Sequence, residues 1–199
     1  MKGKNFFGFN VVFYYYGIGH LLTNMYQYIK GAIDNNEYVY LCLEESSFDL
    51  LLNYFTEDEK KHIGILTVST LINLSKSEGE IIVNTALNKY IESVVEHGYI
   101  GAKFICDSSH IIKEISKSDF IKFEKSSSNI INGLNISMMY LYDMYDYINY
   151  KAIIDDELIA ISRSVSDYRL YQMKLCKIYK GGKIAPSEMV KENCNTSVD

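Results

Sequence analysis

The sequence alternates between two kinds of apolar segment, and this alternation constrains its fold more than any other feature. Short runs rich in β-branched and aromatic residues lie at residues 10–16, 38–43, 63–68, 102–106 and 136–142. Strands that are almost continuously apolar are typical of a parallel sheet covered on both faces. Longer segments with helical periodicity separate them. The pattern therefore predicts βαβ units and a three-layer α/β fold, with a mostly parallel central sheet and helices on both faces.

The longest predicted helix has recognisable signals at both ends. Ser77 and Glu80 have the spacing of a capping box, and His97 followed by Gly98 is typical of a helix C-terminus. The other predicted helical segments are residues 21–32, 48–55, 108–133 with a break near 117–119, and 145–161.

The length of 199 residues predicts one domain with a short tail. We expect residues 1–180 to form a single α/β domain and residues 181–199 to be a flexible C-terminal tail. The segment 167–179 is compatible with either a last helix or an edge strand.

The amino-acid composition argues against several classes of binding partner. The chain has 20 basic and 25 acidic residues and a formal net charge of −5, and its lysines are scattered, which argues against nucleic acid. No apolar run approaches the ~18 residues of a membrane span, and the N-terminus lacks a signal-peptide cleavage site. The cysteines form no CxxC pair, so we expect no metal site and a cytoplasmic location.

The first candidate site follows the first predicted strand, where Tyr16, Gly17, Gly19 and His20 lead into a helix. A strand, a glycine-containing turn and a helix N-terminus together form the geometry that binds phosphates. The turn lacks the lysine and the full pattern of a phosphate-binding loop, so we expect no hydrolysis of ATP or GTP. The pattern favours a plain tight turn with His20 in the first helical turn.

Acidic residues follow three other strands: Glu44, Asp107 and Asp143. Right-handed crossovers place the carboxyl ends of parallel strands at one edge, where such folds bind ligands. An aspartate at this position is equally typical of a helix N-cap. The sequence therefore predicts a possible shared pocket at this edge and leaves the capping role open.

Glu124 lies in a predicted helix beside Phe120 and Phe123. Such a carboxylate is either partly buried, with a shifted pKa, or exposed and paired with a lysine such as Lys125. We find no sequence signature of a Ser-His-Asp or Cys-His arrangement, so we assign no catalytic residue.

Four stretches, taken in order, resemble the MEDS domain, a family named from methanogen and methylotroph proteins and the sensory region of the dichloromethane-responsive regulator. The first carries a glycine, an apolar run and tyrosines, including Tyr14, and the last ends in Tyr142 and Asp143. The four stretches are residues 8–15, 28–40, 98–104, and 123–124 with 140–143.

The resemblance implies a RecA-like fold without a working phosphate loop, and a sensory role. Where the family has histidines, this chain has Asn10 in the first strand and Arg163 or a neighbour in the final helix. If those histidines contact the family's ligand, that contact is changed here. Asn10, Tyr14, Tyr142 and Arg163 are thus candidate ligand-binding residues.

We therefore expect a non-enzymatic, stand-alone sensory domain without a cofactor. Its partner would be a small ligand, a signalling protein such as a histidine kinase or transcription regulator, or both. The composition, rich in Lys, Ile and Asn, fits a low-G+C bacterium. In such a bacterium we expect a regulatory domain of this kind to act in sporulation or another developmental choice. Two alternatives stay open: a degenerate RecA-like nucleotide-binding protein with weak or no ATPase activity, and a structural homodimer formed through a tyrosine-rich face.

Overall fold

The computed structural model describes residues 7–179, so the predicted tail at 181–199 lies outside the described residues. The strands are β1 (Asn10–Tyr15), β2 (Tyr38–Cys42), β3 (Ile63–Ile65), β4 (Ala102–Asp107), β5 (Ile136–Asp143), β6 (Tyr168–Tyr171) and β7 (Lys174–Lys177). The helices are α1 (Gly17–Asp34), α2 (Glu45–Leu52), α3 (Glu57–Lys60), α4 (Val68–Glu78), α5 (Glu80–Glu96), α6 (Ser108–Glu114), α7 (Lys117–Ile130), α8 (Met144–Asn149) and α9 (Asp156–Val165).

The strands form one mostly parallel sheet in the order β3-β2-β4-β5-β1-β6-β7. Every neighbouring pair is parallel except β6 and β7, which form an antiparallel hairpin. β1 lies inside the sheet, and its register places Asn10 opposite Met138 and Tyr15 opposite Asp143. The carboxyl ends of β1, β2, β4 and β5 therefore meet at one edge.

Helices cover both faces, which confirms the predicted three-layer α/β architecture. Because successive side chains of a strand point to opposite faces, β1 contributes to two separate apolar cores. Val11, Phe13 and Tyr15 pack with α1 and α2, whereas Val12 and Tyr14 belong to the larger core under α4–α7 and α9. This alternation determines where the candidate residues lie.

The region around β3 differs from the prediction. Val68 begins α4 and does not end a strand, so β3 has only three residues. Ser77 lies in the last turn of α4, where its hydroxyl donates to the Asn73 carbonyl, and the predicted capping box is wrong. The start of α5 is instead set by Gly79, whose φ of +84° ends α4 in a conformation that glycine adopts readily.

Other predicted boundaries agree with the structure only in part. Gly98 follows α5 with a φ of +90° as predicted, whereas the break predicted near residues 117–119 lies slightly earlier, at residues 115–116 between α6 and α7. The prediction of one continuous helix over residues 145–161 is wrong, because residues 150–155 separate α8 from α9. The undecided segment 167–179 contains the β6–β7 hairpin. Within residues 7–179, the helices are too short or too polar to cross a membrane.

Candidate functional site

The carboxyl ends of four parallel strands surround a cavity of about 230 Å³, here called the carboxyl-edge cavity. Each strand supplies its last residue or one shortly after it, and α6 closes one side. The lining residues are Tyr15, Gly17, Ile18, Leu21, Glu44, Ser47, Asp107, Ser109, His110, Lys113 and Asp143. Four residues selected from the sequence, Gly17, Glu44, Asp107 and Asp143, are thus brought together.

Asp107 is the most buried acid of this cavity, at 7% exposure. One carboxylate oxygen accepts from the backbone N–H of His110 at 3.0 Å and caps α6; the other accepts from the Tyr15 hydroxyl at 3.2 Å. Burial raises the pKa of Asp107, and these hydrogen bonds oppose the shift. The sequence left open whether Asp107 caps a helix or lines a pocket. In the structure its side chain does both.

Asp143 plays the same double role at the end of β5. Its carboxylate accepts from the Tyr145 backbone N–H at 2.8 Å and caps α8. Glu44, on the opposite side of the cavity, lies 3.8 Å from the Lys113 ammonium. The cavity therefore carries three carboxylates and one lysine.

The turn between β1 and α1 is a single residue, Tyr16. Gly17 begins α1 with a φ of +70°, a conformation that other residues adopt at a cost. The Tyr16 backbone N–H donates to Nδ1 of His20 at 3.0 Å, so this ring closes the turn, and burial lowers its pKa. Tyr16, Gly19 and His20 are exposed and do not line the cavity.

The remaining candidates lie inside the larger core, in what we call the buried polar cluster: Asn10, Tyr14, Glu124, Ser127, Tyr142 and Ser162. The Asn10 amide nitrogen donates to the hydroxyls of Ser127 and Ser128, each at 2.8 Å. The Tyr14 hydroxyl shares a hydrogen bond of 2.7 Å with Ser162. Burial raises the pKa of Tyr14 to about 12.

Glu124 is fully buried in this cluster and accepts from the Tyr142 hydroxyl at 2.5 Å. Its second carboxylate oxygen has no hydrogen-bond partner among the described residues. Burial raises the pKa of Glu124 to about 7, and the Tyr142 bond opposes the shift. Of the two alternatives for Glu124, the prediction of a buried carboxyl group with a shifted pKa is confirmed. The exposed ion pair with Lys125 does not form.

Arg163 is half-buried on α9, and its charge, like that of Arg169, opposes the rise that burial causes in the pKa of Tyr14. The neighbour that contacts Tyr14 directly is Ser162. Ser162 and Ser127 were not selected from the sequence, because a small polar residue in a helix gives no signal of what it faces.

Lys113 and His110 of the carboxyl-edge cavity were also missed. They follow Asp107 on α6 at positions that share one helix face, so the helical period applied from Asp107 would have indicated them. Within residues 7–179, no group of three or more His, Cys, Asp or Glu side chains is arranged to hold a metal ion.

The fold and the carboxyl-edge cavity define a three-layer α/β domain with a site at the end of a parallel sheet. Residues 11–160 match the MEDS family, described as the methanogen/methylotroph, DcmR sensory domain. The chain belongs to this family, which indicates a sensory or regulatory role.

Solved structures of similar fold are remote in sequence. The ATP synthase subunit NeqB from Nanoarcheaum equitans is 10% identical over 83% of this chain and 46% of its own, with a TM-score of 0.51. The KaiC-like protein PH0186 from Pyrococcus horikoshii OT3 is 14% identical over 85% and 76%, with a TM-score of 0.49. An ATPase of the type III secretion system of pathogenic bacteria is 8% identical over 82% and 50%, with a TM-score of 0.48.

The chain spans about half the length of the secretion ATPase and of NeqB. The likeness to NeqB supports the predicted RecA-like arrangement of the fold. No curated protein sequence matches the chain.

Proposed function

We propose that the protein is a non-enzymatic sensory domain that binds a compact organic cation in the carboxyl-edge cavity and signals its occupancy to another protein. The observation that carries this proposal is that three carboxylates, from Glu44, Asp107 and Asp143, line one cavity that has a single lysine among its lining residues. An ammonium or amidinium group placed among them would form charge-assisted hydrogen bonds, which are stronger than neutral ones.

The volume limits the size of this ligand. A cavity of about 150 Å³ can hold benzene. At about 230 Å³, the carboxyl-edge cavity therefore suits a molecule only somewhat larger, below the range of roughly 300–1,000 Å³ for drug-sized ligands.

The turn between β1 and α1 and the carboxylates of the cavity argue against the nucleotide-binding alternative. A phosphate loop needs a run of backbone N–H groups between strand and helix, and here one residue, Tyr16, makes that connection. His20 already accepts from the Tyr16 N–H. The carboxylates of Asp107 and Asp143 would repel phosphate oxygens at this edge.

The cavity is adjacent to a surface suited to a signalling partner. Asp143 caps α8, and the segment that follows exposes Tyr145, Ile148 and Tyr150 by 57%, 62% and 69%. A cation that pairs with Asp143 competes with the Tyr145 N–H for the carboxylate, so ligand binding would alter the start of α8. This is our proposed route to a histidine kinase or transcription regulator, in a developmental process such as sporulation.

A native mass spectrum of the gently purified protein tests the ligand. We expect a reproducible added mass that is lost in the double variant Asp107→Asn, Asp143→Asn, because asparagine retains the caps and removes the charges. Asp49→Asn, on the exposed surface of α2, is the matched control and should retain the mass. An added mass that survives the double variant would contradict the site.

Quantitative pull-down tests the partner, with Tyr145→Ser, Ile148→Ser as the variant. We expect the native protein to retain an identified kinase or transcription regulator and the variant to lose it. Labelled ATP cleaved by the pure protein, with loss of cleavage in Asp143→Asn, would favour the nucleotide alternative. A concentration-dependent dimer in sedimentation, without ligand or partner, would favour the structural homodimer.

A further inference from the structure

A second cavity, of about 340 Å³, lies at the opposite edge of the sheet, and we call it the amino-edge cavity. Tyr38 begins β2, Tyr99 precedes β4, and Lys61 precedes β3. The other walls come from the end of α5. The lining residues are Tyr38, Tyr40, Lys61, Ser93, Val94, His97 and Tyr99.

Three tyrosine rings, together with Val94, form the apolar part of this cavity. The ring centroids of Tyr38 and Tyr40 are 4.8 Å apart, and those of Tyr38 and Tyr99 are 5.1 Å apart in an edge-to-face arrangement. Because aromatic rings prefer such offset or edge contacts, the walls can accept one further flat ring. The cavity exceeds the volume of about 150 Å³ that holds benzene.

Gly64 on β3 leaves room for this arrangement. A Cβ atom built at Gly64 would lie 2.8 Å from the Tyr38 hydroxyl oxygen, well inside contact distance. The backbone of Gly64 does not require glycine, since its φ is not positive. Glycine at this position therefore serves to accommodate the Tyr38 ring.

Three polar groups of the cavity are tyrosine hydroxyls, which can donate hydrogen bonds. The hydroxyls of Tyr38, Tyr40 and Tyr99 form no hydrogen bond with a residue of the described range 7–179. Burial raises their pKa, that of Tyr40 to about 12, so they keep their protons at neutral pH. Each hydroxyl can therefore donate to a ligand oxygen.

Lys61 supplies the positive charge. Its ammonium is 2.7 Å from Asp58, but both side chains are largely exposed, at 73% and 91%. Such an exposed pair contributes little, so the ammonium can exchange partners at small cost. Among the residues that the structure describes, no carboxylate lines this cavity, in contrast to the carboxyl-edge cavity.

We propose that the amino-edge cavity is a second binding site, which takes a small aromatic carboxylate. The flat ring of the ligand packs against Tyr38, Tyr40 and Tyr99. Its carboxylate oxygens accept hydrogen bonds from the tyrosine hydroxyls and from the Lys61 ammonium. The proposal uses no residue of the carboxyl-edge cavity and does not depend on the function proposed for it.

The test compares benzoate, benzyl alcohol and benzylamine, three probes that share a ring and differ in charge. The full chain carries Asp107→Asn and Asp143→Asn, so that an amine is not held at the other edge, and its tyrosine rings are isotopically labelled for NMR titration. We expect benzoate to bind at least about tenfold more tightly than benzylamine, with benzyl alcohol between them. The shifted signals should be those of Tyr38, Tyr40 and Tyr99.

Two further variants, with one control variant, distinguish the contribution of the lysine charge from that of the cavity shape. Lys61→Gln should weaken benzoate binding about tenfold and leave benzyl alcohol unchanged, whereas Lys60→Gln, outside the cavity, should affect neither. Gly64→Ala moves the Tyr38 ring and should weaken all three probes, and its unfolding midpoint establishes that the variant is folded. Equal binding of the three probes, absence of benzoate binding, or benzoate binding unaffected by Lys61→Gln would overturn the proposal.

Discussion

The carboxyl-edge cavity and the buried polar cluster both take residues from β1 and its neighbours, yet their polar groups are used differently. In the buried polar cluster, Asn10, Tyr14 and Tyr142 are bound to partners on α7 and α9. In the cavity, Asp107 and Asp143 cap helices and still border open space. Polar residues within a strand can thus link the sheet to the helices that cover one of its faces. Polar residues at the carboxyl end of a strand can form a binding site.

The largest effect expected from this difference is a pH dependence caused by Glu124. Its pKa is about 7 in the folded protein and near 4.5 when unfolded, so the folded state keeps a proton that the unfolded state releases between these values. The stabilisation is complete below about pH 4.5 and is lost as the pH rises through 7. The stability of Glu124→Gln relative to the natural protein should rise by about 3 kcal/mol across that window.

Urea denaturation at a series of pH values measures this difference. Glu92→Gln, on the exposed surface of α5, is the matched control and should show no such trend. A flat difference for Glu124→Gln would mean that the carboxyl group is not held in a desolvated site.

The second effect concerns Asn10. Asn10→Ala removes two hydrogen bonds to α7 and leaves two serine hydroxyls without their donor. We expect the free energy of unfolding to fall by about 2 kcal/mol, at about 1 kcal/mol for each bond. Asn88→Ala, on exposed α5, should change it by less than about 0.5 kcal/mol; equal losses would remove the contrast between cluster and surface.

The third effect compares two glycines of one turn. Gly17→Ala places a side chain at a φ of +70° and should destabilise the protein by about 1 kcal/mol, although the Cβ meets no neighbouring atom. Gly19→Ala lies within α1 without that constraint and should stabilise it by roughly 0.5–1 kcal/mol. Thermal unfolding of both variants gives the signs, and the same sign for both would contradict this view of the turn.

The smallest effect on stability is expected at the cavity. Asp143→Asn should change the free energy of unfolding by only a few tenths of a kcal/mol, because asparagine caps helices about as well, whereas Asp143→Ala should cost about 1 kcal/mol. Chemical denaturation distinguishes the two. If Asn costs as much as Ala, the charge of Asp143 stabilises the fold and is not available chiefly for a ligand.

The sequence predicted the layers, the parallel sheet and the family, because buried strands and amphipathic helices give strong periodic signals. It could not place α4, since residues 63–68 are mostly β-branched and apolar and the helix begins at Val68 at the end of that run. Ser77 satisfied a local capping pattern, but the chain turns at Gly79.

Only some of the candidate residues could be assigned to a site from the sequence. Acids after strands identify the carboxyl edge through topology alone, so Asp107 and Asp143 were selected before any contact was known. Asn10 and Tyr14 were candidates through the family resemblance, and alternation along β1 points both toward the face of the larger core and away from the carboxyl edge. The tyrosines of the amino-edge cavity gave no signal, because Tyr38 and Tyr40 read as ordinary strand residues.

The single-residue connection at Tyr16 also bears on the evolutionary history of the chain. A nucleotide-binding relative and this domain would differ at this turn in backbone length, and not only in the presence of a lysine. No point substitution adds residues to this connection, so a phosphate loop would require an insertion between β1 and α1. Single substitutions can thus change the charge of the carboxyl-edge cavity, while a phosphate loop demands a rarer genetic event.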